Sequence, residues 1–187
     1  MVLAKKIFAK IFAFFVVSKI KKSYANAAQI QIYTLQKLIN KAKKTKFGIE
    51  HQFHKINSVE EYIDKVPIRD YEDIKKYIEE IKKGSKDVLW PGKPKYLAKT
   101  SGTTSGAKYI PITNDSMPNH ILSSRNALLF HIYQTGDTSF LSGKTIFLQG
   151  SPVLDEINGI LIGRLSGIVS HHVPSYLKKN NLPSMNT

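Results

Sequence analysis

Between two short apolar segments the chain runs Lys99-Thr100-Ser101-Gly102-Thr103-Thr104-Ser105-Gly106-Ala107-Lys108. This loop constrains the fold more than any other stretch. Tyr96 opens the apolar segment before it and Tyr109 the one after it, and both segments are short enough to be strands. Glycines let successive backbone N–H groups converge on an anion, hydroxyls add donors, and the terminal lysine adds a full charge. The loop therefore reads as a flexible clamp for a triphosphate. A polar hairpin turn of the same composition is the plain alternative. A Walker A loop fits worse, because only three residues separate Gly102 from Gly106, Ala107 precedes the lysine, and a strand rather than a helix follows.

The chain before the loop reads as helical. Residues 29–46 carry Ile32, Leu35, Leu38, Ile39 and Ala42 at helical spacing. Ser58-Val59-Glu60-Glu61 has the capping-box pattern for a short helix that stops at Val66-Pro67. Asp70-Tyr71-Glu72-Asp73 opens another, with Ile74, Tyr77, Ile78 and Ile81 on one face and Gly84 beyond its end. After the loop, Asn114 or Asp115 is expected to cap a helix through Leu122, Leu128, Leu129 and Ile132, stopped near Gly136. Residues 144–149 read as a buried strand, and a glycine-rich apolar stretch follows. Helices followed by mixed strands and helices give an α/β class in a single domain.

Charge is uneven along the chain. Residues 1–50 hold eleven lysines and one acid, Glu50, while the remainder is nearly balanced. Such a segment invites polyanions, and a non-catalytic basic module binding membrane or nucleic acid is the alternative from another class. No aromatic-interleaved basic stripe supports nucleic acid, which is not expected as a partner. Residues 1–24 are expected to form a basic amphipathic helix whose Phe and Ile face packs on the body. A membrane-surface helix or export signal is the lesser reading, because Lys10 splits the apolar run and Lys19, Lys21 and Lys22 follow it. Residues 25–187 then form the domain that carries the loop at 100–108.

With no cysteine, disulfides, a thiol nucleophile and cysteine-held zinc are excluded. The pairs His51/His54 and His171/His172 lack carboxylates at ligand spacing, so no metal ligands are assigned and packing roles are expected. Asn114-Asp115-Ser116 matches a glycosylation sequon but is read as the helix cap.

The loop resembles the first ATP motif of adenylate-forming enzymes, with serine before the second glycine and no proline before the lysine. That variant is similar to the auxin-responsive promoter family of acyl acid amido synthetases. Its neighbours resemble the same family: Phe47-Gly48, Val66-Pro67-Ile68-Arg69-Asp70-Tyr71, Trp90-Pro91-Gly92, Tyr109-Ile110-Pro111-Ile112-Thr113, Gly150-Ser151-Pro152-Val153-Leu154 and Gly163-Arg164-Leu165-Ser166-Gly167-Ile168. The resemblance implies that Ser101, Gly102, Thr103, Thr104, Gly106 and Lys108 hold the β- and γ-phosphates of ATP, with Mg2+ accompanying the nucleotide. It implies a two-step ligase. A carboxylic acid is activated as an acyl-adenylate, and an amino acid then takes the acyl group and AMP leaves. A CoA ligase, with a thiol acceptor, is the nearest alternative. The adenine-stacking motif, the ribose-binding aspartate motif and the mobile terminal domain of such enzymes are not found, and Asp137 lacks the Tyr-Arg-x-Gly-Asp setting. The chain is therefore expected to be an amino-terminal fragment of a cytoplasmic enzyme, inactive alone and without identified catalytic residues. Its oligomeric state is not legible.

Overall fold

A computed structural model of the chain describes residues 2–100, 106–146, 150–174 and 181–182. Helix α1 (Val2–Tyr24) is followed by α2 (Ala27–Ala42), α3 (Lys46–Glu50), a 3-10 turn at Phe53–Lys55, α4 (Val59–Lys65) and α5 (Tyr71–Lys82). Strands β1 (Tyr96–Lys99) and β2 (Tyr109–Ile112) flank the loop, and α6 (Met117–Thr135) follows. Then come β3 (Thr145–Ile146), β4 (Asp155–Ile157), β5 (Ile160–Gly163), α7 (Leu165–Ser170) and β6 (Asn181–Leu182). The α/β class holds: a helical first half leads into a mixed sheet clad with helices.

The main sheet runs in the order β2-β1-β5-β4. β1 pairs antiparallel with β2 and parallel with β5, while β4 and β5 form an antiparallel hairpin. Alternation along β1 divides the core. Leu97 faces α5, joining Tyr77, Ile81, Val88, Ile160 and Ile162. Tyr96 and Ala98 face the other way, with Ile112, Met117 of α6 and Ile168 of α7. Both faces of the parallel pair are thus covered, and Tyr96, Leu97 and Ala98 are all buried. Leu97 has no exposed surface, and burying such a side chain stabilises by roughly 1.5–3 kcal/mol.

The helical half braces this sheet through short-range geometry. Thr45 caps α3, its hydroxyl accepting from the Gly48 N–H at 3.0 Å and donating to the Ala42 carbonyl at 2.7 Å. Gly48 is pressed so closely on that carbonyl that a Cβ would lie 2.1 Å from its oxygen, which accounts for the Phe47-Gly48 pair. The Phe47 ring meets His51, Phe53 and Tyr77, and its N–H donates to the Val88 carbonyl. His51 stacks on Phe47 with its Nδ1 2.7 Å from the Phe47 carbonyl oxygen, and is buried. His171 meets the Pro152 carbonyl, and His172 meets the Tyr96 hydroxyl.

Several expectations meet a different outcome. Not all the Phe and Ile residues of α1 pack on the body: Phe14 stacks on Tyr133 of α6 and Arg125 of α6 lies over Phe12, but Phe8, Ile11 and Phe15 do not. Ala13 and Val17 make the buried contact, against Leu129 and Ile132 of α6, while Phe8, Ile11 and Phe15 face outward. Small side chains let the two helices approach, so those three bulky ones are turned to the other side. Helix α6 is preceded by Ser116 rather than capped by Asn114 or Asp115. Asp115 is engaged elsewhere, accepting from the Trp90 indole at 2.8 Å and pairing with Lys41 at 2.7 Å. Leu122 and Leu128 are exposed, whereas Leu129 and Ile132 are buried. At the start of α4, Ser58 accepts from the Glu61 N–H, but the Glu61 carboxylate takes the N–H of Asn57 instead of Ser58. The reciprocal capping box forms one helix later, between Asp70 and Asp73. In the expected strand at 144–149, Thr145 and Ile146 pair with β6 in a separate two-stranded sheet, and Ile146 is exposed; residues 147–149 lie outside the described residues.

Candidate phosphate and acid site

The two strands beside the loop hold its ends together. Lys99 stands opposite Tyr109, and the Thr100 N–H donates to the Lys108 carbonyl at 2.9 Å. Gly106 has φ +80°, a conformation an L side chain rarely adopts. Of the six residues expected to clasp phosphate, Gly106 and Lys108 are described, and Ser101, Gly102, Thr103 and Thr104 lie outside the described residues.

Helix α5 anchors the far side of the loop. Tyr71, its first residue, accepts from the Tyr109 N–H through its hydroxyl at 2.9 Å. The Lys108 ammonium lies 5.4 Å from the centre of the Tyr71 ring, a cation–π contact. Among the described residues no acidic side chain pairs with Lys108. Its charge is thus held in place by an aromatic face and left unneutralised. The capping box at Asp70 fixes the start of α5, and with it Tyr71.

A cavity of about 480 Å3 opens at the end of β1, the strand that leads into the loop. It is lined by Lys99 at the end of β1, His120 and Ser124 on α6, and Arg164, Leu165, Ser166 and Val169 at α7. Because β1 and β5 are parallel, Lys99 and Arg164 emerge at the same, carboxyl edge of the sheet, where open α/β sheets bind ligands. His120 and Ser124 lie one turn apart on α6 and so share a face. Lys99 and Arg164 are cationic, and among the described residues no acid lines the wall.

Close backbone packing sets Arg164 at that wall. A Cβ on Gly150 would lie 2.6 Å from Arg164 Cδ, and one on Gly167 would lie 2.2 Å from the Ser151 carbonyl oxygen. The Ser166 hydroxyl also accepts from the Gly150 N–H at 2.8 Å. Two of the stretches singled out in the sequence, around Gly150-Ser151 and Gly163-Arg164, are therefore one packed unit. Lys99, His120, Ser124, Arg164 and Ser166 were not expected as site residues. The i, i+4 spacing of His120 and Ser124 is the only local signal of that pair, and many surface helices share it.

A second cavity, about 350 Å3, is lined mainly by Tyr96, Met117, Pro118, Ile121 and Leu122 and closed by His172, at the start of β1. It lies at the opposite end of that strand from the loop.

No group of three His, Cys, Asp or Glu able to hold a metal occurs among the described residues. The walls of the cavity at Lys99 and Arg164 are basic and hydroxyl-bearing, a donor set that repels a divalent cation. They do not fit a metal held by the protein itself.

Comparison with known proteins identifies the family and the fold. Residues 16–181 match the family model described as GH3 family N-terminal domain. The solved structure of "AtGH3.15 acyl acid amido synthetase in complex with 2,4-DB" superposes with a TM-score of 0.73 at 22% identity, covering 84% of this chain. A second structure, "GH3.15 acyl acid amido synthetase", gives a TM-score of 0.70 at 23% identity over 83% of this chain. The matched region spans 28% of the length of each of those proteins. No curated protein matches the chain. The match to the domain model over most of its length shows that the chain belongs to the GH3 family, through that family's N-terminal domain.

Proposed function

We propose that this region supplies the phosphate clamp and part of the acid-binding chamber of an ATP-dependent ligase, one that activates a carboxylic acid as its acyl-adenylate and joins it to an amino acid. The observation that carries the reading is the chamber with cationic Lys99 and Arg164 in its wall, at the end of β1 from which the hydroxyl- and glycine-rich loop departs. Ser101, Gly102, Thr103, Thr104 and Gly106 are assigned to the β- and γ-phosphates, and Lys108 to their charge. Mg2+ would arrive with the nucleotide as part of the substrate. The family membership and the shared fold support the assignment.

In this reading the chain's own groups position and neutralise. Lys108, pre-set against the Tyr71 ring, faces the departing pyrophosphate, and charge held ready in place costs no reorganisation as the bond breaks. Arg164 and Lys99 draw the acid's carboxylate toward the edge of the sheet, which raises its effective concentration at the α-phosphorus. A cytoplasmic setting is proposed with the reading, since a free ATP pool is required.

The test is acid-dependent exchange of labelled pyrophosphate into ATP by a full-length family protein carrying this region. A hydrogen bond to a charged group is worth roughly 1.5–3 kcal/mol, so Lys108→Ala is expected to slow exchange by about 10- to 150-fold. Undiminished exchange in that variant removes Lys108 from the site. No acid-dependent exchange in the unsubstituted protein removes the reading itself.

A further inference from the structure

Helix α1 is apolar on two opposite sides, and only one of them is used within the domain. On the inner side Ala13 and Val17 are fully buried on α6, with Ala9 and Val16 packed beside them. At 3.6 residues per turn, Phe8, Ile11 and Phe15 fall on the opposite side. They are 68%, 51% and 66% exposed, and Leu3 and Ile7 extend the same surface. Lysines stand at its borders and beyond it, at Lys5, Lys10, Lys19 and Lys22, while the Lys21 ammonium lies over the Tyr133 ring of α6. The helix is therefore not amphipathic in the one-sided sense expected of it.

The surroundings narrow what covers this face. Residues 1–15 lie outside the family match, so the exposed cluster falls outside the stretch that identifies the family. No acid occurs before Glu50, so a second copy laid on the same face would set lysine against lysine. Nucleic acid has no use for three bulky apolar side chains in a row. Among the described residues no helix is long and apolar enough to cross a membrane. A bilayer surface with anionic headgroups matches both halves of the pattern. Apolar side chains reach the acyl boundary, and lysine stems lie along it with their ammonium groups among the phosphates.

We propose that the outer face of α1 docks on an anionic phospholipid surface, with Phe8, Ile11 and Phe15 inserted and the bordering lysines paired with headgroups. The helix lies in the plane of the surface while Ala13 and Val17 keep their seat on α6, so docking needs no unfolding of the domain.

The experiment is co-sedimentation of the full 187-residue chain with vesicles of phosphatidylcholine and phosphatidylserine at 3:1, and with pure phosphatidylcholine. Partitioning is expected to be at least about tenfold stronger on the anionic vesicles and to weaken with added salt. The triple variant Phe8→Ser, Ile11→Ser, Phe15→Ser is expected to lose at least about tenfold more. Ile63→Ser with Ile68→Ser, equally exposed but on other elements, is expected to bind like the unsubstituted chain. As a check independent of the triple variant's folding, Phe15→Trp is expected to blue-shift on anionic vesicles in the difference spectrum against the unsubstituted chain. Equal binding to neutral and anionic vesicles, full binding by the triple variant, or an unshifted Phe15→Trp emission would each overturn the proposal. So would a dimer in solution that the triple variant dissolves, since a second copy would then be the occupant.

Discussion

Gly167 sits against the Ser151 carbonyl so tightly that a methyl group there would come within 2.2 Å of the oxygen. The obstacle is backbone rather than a flexible side chain, so the clash cannot be relieved by a rotamer change. Gly167→Ala is expected to cost about 1–3 kcal/mol. That corresponds to a fall in Tm of roughly 2–12 °C by scanning calorimetry. Gly143, where a Cβ meets nothing within 4 Å, provides the control, with Gly143→Ala expected within about 0.5 kcal/mol of the original.

The same packing predicts a kinetic split at Arg164. In a full-length family protein, Arg164→Ala is expected to raise KM for the acid by about tenfold, while KM for ATP moves little. Steady-state exchange with each substrate varied in turn measures it. An effect confined to ATP would place Arg164 on the nucleotide instead.

Tyr77 carries a pH dependence with a definite sign. Burial, and then the hydrogen bond it donates to Glu50, push its phenol up from 10.0 to about 12. The folded state holds this proton more tightly than the unfolded chain. The resulting stability is complete below pH 10 and is lost as the pH rises from 10 toward about 12. Tyr77→Phe is expected to cost about 0.5–1.5 kcal/mol at neutral pH and to flatten that alkaline loss, read by urea denaturation at pH 8 and pH 11.

Trp90 reports on Asp115 at the acid end. The chain has one tryptophan, and its indole N–H donates to the Asp115 carboxylate. Hydrogen bonds from Lys41 and then Trp90 hold that carboxyl below its ordinary 3.8. Its contribution is therefore present above pH 3.8 and lost as the pH falls through the lowered value. Trp90 fluorescence is expected to change below pH 3.8 and to have already changed at neutral pH in Asp115→Asn. Both carboxylate and lysine are half exposed, so stability should move little.

What could be read in the sequence followed from whether a pattern was one-sided. Helix α5 was legible because Tyr77, Ile78 and Ile81 share one apolar face and Asp70 supplies the cap. Helix α1 was misread because its apolar residues run round it, and periodicity alone does not say which side meets a partner. Asp115 was taken as a cap on local grounds, while its partners Lys41 and Trp90 are brought to it by the fold. The β4–β5 hairpin had a local sign that passed unread: Asn158-Gly159 between Ile157 and the apolar run Ile160-Leu161-Ile162, both turn residues at positive φ. As for the site, the loop announced itself by composition. The chamber did not, since Lys99, His120 and Arg164 come from three separate stretches and meet only where β1 and β5 run side by side.

That side-by-side pairing also sets an order of events on the ribosome. Strand β1 can zip to β2 as soon as both have emerged, but its other edge waits until β5, after α6 and the β4 segment, has been made. Until then Leu97 lacks Ile160 and Ile162 on its own face, and a row of unpaired peptide groups stays open to any passing strand. The nascent chain is most in need of a holding chaperone during this interval, and a ribosome stalled between β2 and β5 would present its stickiest edge.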